Sequence, residues 1–289
     1  MQNEGLIQHS DEIYIPAQPP SAVEPTPNDP PWGVLESIGV WIASVLFILI
    51  FPAIVLLPYL ATQRGAFVGN EELLEFAKTD PTSVFLQIVA ILPAHLATVL
   101  IAWLVVTRVR KYRFRETLGW ENGGFKWWHH AVLLGAFFGV AIIVNTFVPE
   151  KENDLVKMLQ SSRAAVYIIA FVATFTAPFV EELVYRGMLY SAFQRRIGVP
   201  SAFILVTLLF AFVHVPQYYP SYSTIFLLTL LSLTLTAIRV WSKNLWPCIV
   251  LHTVFNGIQS IFLIVLPEQA PKTDVPEQVA AIMRFLNLG

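Results

Sequence analysis

The chain has 289 residues, a formal net charge of -2, 55% hydrophobic residues and only 13% charged residues. Soluble domains carry about 25% charged residues, so this composition excludes a soluble enzyme. A near-neutral chain without a basic face also excludes nucleic acid as the main partner. The single cysteine, Cys248, excludes an internal disulfide framework and a cysteine-based zinc cluster.

In chain order, residues Met1 to Pro31 come first, with seven prolines, five acids and no Lys or Arg. This composition predicts a disordered tail, and it is not that of a signal peptide, which needs a basic start and an apolar core. Six stretches without any Asp, Glu, Lys or Arg follow: Ser37–Gln63, Thr82–Thr107, Trp127–Pro149, Ala164–Val180, Ile197–Ile238 and Asn244–Pro267. A membrane-crossing helix needs about 20 apolar residues. The 42-residue stretch Ile197–Ile238 is interrupted by Pro216 to Tyr222, read as a turn, and so counts twice. The expected fold class is therefore all-α: a polytopic transmembrane helical bundle of seven segments, since lipid leaves open backbone groups without partners.

The organisation that follows is a tail over 1–31, N-terminal membrane helices over 33–150, a catalytic membrane domain over 164–266 and a C-terminal tail over 268–289. In that last tail, Val279, Ile282, Met283 and Leu286 recur at helical spacing, as in a helix lying on the membrane surface. With the N-terminus in the cytoplasm, the inside loops collect ten cations, including the dense run Arg108–Arg115, together with Arg239 and Lys243. The outside loops then hold seven. That balance places the N-terminus inside and, with the bilayer as a partner, reads as a multi-pass protein of a bacterial plasma membrane. Trp127, Trp128 and Trp246 stand at segment ends as interface anchors. His95, His129 and His130 read as packing or interface residues.

The fourth segment breaks the apolar pattern with Glu181, Glu182 and Arg186. Each such charge costs about 2.5–3.5 kcal/mol to insert. Glu182 and Arg186, four residues apart, share a helix face and can pair. Glu181 points about 100° away and lacks that partner, so it is the acid available for chemistry. A carboxylate in a dry site tends toward the range useful to a general base. His214 ends the fifth segment, and His252 and Asn256 share one face of the seventh. An imidazole and a carboxamide side by side can hold an oxyanion. Counted from the connection at Gly198, Glu181 and His214 reach one level, whereas His252, counted from Asn244, falls about 12 Å short.

The trio E-E-x-x-x-R (Glu181, Glu182, Arg186), F-x-x-x-H (Phe210, His214) and H-x-x-x-N (His252, Asn256), with Arg-Gly after the double Glu, resembles the CPBP family of intramembrane proteases. That family includes the type II CAAX prenyl endopeptidases and Abi-like proteins. The resemblance spans about residues 164–266. It implies an endopeptidase acting on a membrane-associated or lipidated polypeptide. Glu181 would activate water with help from His214, His252 and Asn256 would stabilise the oxyanion, and Glu182, Arg186 and Phe210 would give structural support. Two versions stay open: a glutamate mechanism without a cofactor, and a zinc site of Glu181, His214 and His252, for which the H-E-x-x-H signature is missing and Glu182 looks committed to Arg186. The rival readings are a non-catalytic membrane scaffold or bacteriocin-immunity protein, and a proton-relay transporter, which the lack of an internal repeat disfavours. Substrate identity and oligomeric state stay open.

Overall fold

A computed structural model describes residues 24–63, 69–151, 158–159 and 162–265. The expected surface helix near Val279–Leu286 and the first 23 residues lie outside the described residues. Among the described residues, seven helices are long and apolar enough to cross a membrane. Together with two shorter helices they make an all-α bundle, with no strand among the described residues. The protein is an integral, multi-pass membrane protein.

Helix α1 (Val34–Thr62) is followed by α2 (Asn70–Thr79), a short polar helix that the charge-free windows do not reveal. The second span is α3 (Pro81–Val89) continued by α4 (Ile91–Thr107). The step at Ala90 has a local cause: Pro93 has no N–H to give to the carbonyl of Val89, four residues back. After the small helix α5 (Phe114–Leu118) and the third span, α6 (Trp127–Phe147), the fourth span, α7, runs over Arg163–Ile197. It turns at Gly198, whose φ of 81° is a conformation that favours glycine, into α8 (Val199–Tyr218). Helices α9 (Tyr222–Ser242) and α10 (Trp246–Val265) complete the bundle.

Three expectations change here. The turn read over Pro216–Tyr222 is shorter, because α8 continues through Pro216 to Tyr218. That places His214 within α8, one turn before its end. Arg239, counted above as a loop cation, lies in the last turn of α9 and is fully buried. Residues 24–31, expected in the disordered tail, are seated on the bundle. Thr26 and Asp29 pair through two backbone hydrogen bonds of 3.1 Å, and Asp29 also meets Arg195 at 2.9 Å. The physical reason is that the basic end of the bundle supplies donors to a segment otherwise rich in unpaired carbonyls: Arg108 to Pro31, Arg195 to Pro30 and Trp32, and Arg239 to Pro27.

Trp32, Val40, Ala102, Val106 and Leu118 share one buried cluster with Leu183, Val184, Met188, Leu189, Phe210 and Leu245. The N-terminal helices and the motif-bearing helices therefore share a core. The boundary drawn between residues 150 and 164 separates motifs in the sequence. It does not separate packed units.

Candidate functional site

Helix α7 owes its shape to two wide turns of π-helix, Val172–Thr176 and Leu183–Leu189, on either side of the α-helical piece Ala177–Glu182. Such turns are rare and recur at functional sites. The first has a sequence cause: Pro178 cannot donate to the carbonyl of Thr174, and its ring crowds that carbonyl. A widened turn leaves backbone carbonyls in need of donors from outside the helix, and side chains supply them. Asn256 Nδ2 donates to the Ala173 carbonyl at 2.8 Å, Arg239 Nε to that of Arg186 at 3.3 Å, and Trp32 Nε1 to that of Met188 at 3.2 Å.

Gly187, the glycine after Arg186, explains how His252 reaches the site. A Cβ there would stand 3.2 Å from a methyl of Leu118 and 3.3 Å from one of Leu245. The connection before α10 is therefore pressed against Gly187. Leu245 and Trp246 N–H groups both donate to the Gly119 carbonyl, which fixes this connection in place. Measured from this contact, Glu181 is six residues up α7 and His252 seven residues up α10. The 12 Å shortfall came from counting α7 from Gly198, which lies two to three turns farther out.

The two adjacent glutamates have separate partners. Glu182 and Arg186, both fully buried, pair at 2.9 Å. Arg186 also donates to the Ser232 carbonyl and hydroxyl at 2.9 and 2.8 Å, and its guanidinium lies 4.8 Å from the centre of the Phe210 ring. The same Glu182 oxygen meets His252 Nδ1 at 2.9 Å. A carboxylate ion-paired to arginine only accepts, so Nδ1 is the donor. The other ring nitrogen of His252 faces Glu181, whose Oε2 stands 3.8 Å away. Glu181 keeps about a quarter of its side chain exposed, against 3% for His252. Glu182 thus serves Arg186 and His252 together, a double use that the sequence reading missed. The signal available was the adjacency of two acids, of which only one can share a face with Arg186.

His214 is anchored in the same sense, with Nδ1 at 2.7 Å from the Phe210 carbonyl, so that Nε2 is left for other contacts. The Phe210 ring stands between the site's other groups: its centre is 4.7 Å from that of His214, 5.1 Å from Tyr185 and 6.2 Å from His252. Glu181, His214, His252 and Asn256 all line one cavity of about 450 Å³. Of the residues read as packing groups, His95 lines the same cavity, with Nδ1 2.9 Å from the Thr176 hydroxyl in the first wide turn. His129 and His130 pack on Phe125 well away from it.

One carboxylate and two imidazoles with open Nε2 atoms are donors that suit zinc, and a carboxylate behind a ligating histidine is the usual support. Among the described residues, no group of three or more His, Cys, Asp or Glu side chains is gathered as a metal site would require.

The fold and site together define a polytopic helical membrane protein with a carboxylate–histidine cavity inside the bundle. Residues 163–258, about a third of the chain, match the family model described as type II CAAX prenyl endopeptidase Rce1-like. All three motifs fall inside the matched stretch, and the resemblance to the CPBP and CAAX protease family holds over it. At family level the match supports a CAAX-type intramembrane endopeptidase. No curated protein and no solved structure matches the chain.

Proposed function

We propose that this protein hydrolyses a peptide bond in a membrane-associated or lipidated polypeptide, with Glu181 as general base. Water held between Glu181 and His214 loses a proton to Glu181 as its oxygen attacks the scissile carbonyl carbon. The carbonyl oxygen becomes the oxyanion of a tetrahedral intermediate. His252 and Asn256 take that oxyanion: Asn256 has a second amide N–H beyond the one given to Ala173, and His252 donates through Nε2 when both ring nitrogens carry protons, with Glu182 as counter-ion. The proton on Glu181 then passes to the leaving nitrogen, and the C–N bond breaks. The protein is best read as residing in a bacterial plasma membrane, with the N-terminus and the basic end of the bundle in the cytoplasm.

The observation that carries this reading is the division of labour between the adjacent acids. Glu182 is consumed by Arg186 and His252, while Glu181 is partly exposed to the cavity and stands 3.8 Å from the opposite nitrogen of His252. The test compares membrane fractions of cells carrying the native protein with those carrying Glu181→Gln, using proteomics to find a polypeptide that accumulates uncut. An unchanged proteome and phenotype in that variant and in a His214 variant would turn the reading toward a non-catalytic scaffold.

A further inference from the structure

Arg239 is 1% exposed and enters none of the ion pairs among the described residues. Burying a charge without a counter-ion is expensive, and here only neutral groups offset the cost. The guanidinium donates to the Pro27 carbonyl at 2.6 Å, Asn28 Oδ1 at 3.0 Å, the Ser191 hydroxyl at 3.1 Å and the Arg186 carbonyl at 3.3 Å, and it lies 5.3 Å from the centre of the Tyr190 ring. Two of those acceptors belong to the segment before α1 and one to the second wide turn of α7.

That same segment grips the turn a second time through Trp32, fully buried, whose indole N–H meets the Met188 carbonyl. Both carbonyls lie within Leu183–Leu189, where the helix is widened. From there the contacts are direct: the Arg186 guanidinium holds Glu182, and Glu182 holds His252 Nδ1. Asn28 takes part only as an acceptor, its Oδ1 receiving Arg239 and also Gln194 at 3.1 Å.

We propose that residues 24–32 act as a clasp which, through the positioning residue Asn28 and its partner Arg239 in α9, holds the wide turn of α7 and through it the orientation of the His252 ring. The clasp touches no reacting atom. It keeps Arg186, Glu182 and His252 in register, so its loss disorders the site while the spans stay folded. The importance of this for turnover rests on the peptidase reading, whereas the geometry is tested without any substrate.

The test uses the full chain in lipid nanodiscs with ¹⁵N-labelled histidine, and the His252 ring signals are assigned by their disappearance in His252→Gln. Asn28→Ala removes the acceptor and is expected to abolish the wild-type Nδ1–H signature of His252 while leaving the His129 and His130 signals in place. Asn28→Asp keeps the acceptor and is expected to restore the wild-type spectrum. A His252 ring unchanged in Asn28→Ala overturns the proposal. So does a change spread over all histidines, which means general unfolding, or a failure of Asn28→Asp to restore the signal. Because no cleavage is measured, failure of the peptidase reading shows separately, as full turnover in Glu181→Gln.

Discussion

Glu182 and His252 are 70 residues apart in sequence and share a 2.9 Å hydrogen bond that ties the fourth span to the seventh. The bond fixes which nitrogen of His252 looks into the cavity, because a carboxylate already paired with Arg186 can only accept. Glu182 therefore shapes the site without facing it.

Replacing Glu181 with Gln keeps the shape and removes the proposed base. General-base assistance contributes about 10²–10⁴-fold, so cleavage of the accumulating substrate is expected to fall by at least that lower factor. The melting temperature of the purified protein should stay close to that of wild type, given that the side chain is partly exposed and its contact with His252 is long, at 3.8 Å. Undiminished turnover would remove Glu181 from the chemistry.

Glu182→Ala should behave in the opposite way. It strands the Arg186 charge at 0% exposure, and breaking a buried pair by removing one partner costs about 3–5 kcal/mol. A clear loss of thermal stability in detergent is expected, along with loss of activity. A variant that melts like wild type would contradict the buried pairing.

Gly187 tolerates little added volume. Its neighbours Leu118 and Leu245 stand 3.2–3.3 Å from where a Cβ would be, and overpacking a tight site costs about 1–3 kcal/mol. Gly187→Ala should be mild, since two leucine methyls can yield by a few tenths of an ångström. Gly187→Val should push the α9–α10 connection outward and raise His252 away from Glu181. Cleavage rates of the two variants, compared side by side, distinguish this from a general intolerance of any side chain.

Metal dependence can be settled by chelation. With no three suitable groups gathered among the described residues, cleavage by the purified protein is expected to survive exhaustive chelation, and elemental analysis should find no stoichiometric zinc. Activity lost to the chelator and restored by zinc alone would establish zinc dependence instead, with Glu181, His214 and His252 as the ligands to substitute next.

Much of this molecule was legible in its sequence because lipid penalises charge and open backbone so heavily. The seven spans follow from windows empty of Asp, Glu, Lys and Arg. The Glu181, Glu182 and Arg186 cluster stood out against that background, and helical spacing alone paired Glu182 with Arg186. Arg239 was misplaced for a related reason: a cation at the end of an apolar window reads as a loop residue, and nothing local shows that residues more than 200 positions earlier supply its acceptors.

The sequence by itself determined which segments are long and apolar enough to cross a membrane and which side chains are too costly to be there without a purpose, since both depend on composition and spacing within one helix. Tertiary structure alone decided the level of His252, the sharing of Glu182 between Arg186 and His252, and the seating of residues 24–32 on the wide turn of α7. Each of these depends on which helices touch and where along their lengths. Close packing at Gly187 and hydrogen bonds between distant segments set that register, and no periodicity within a single segment records it.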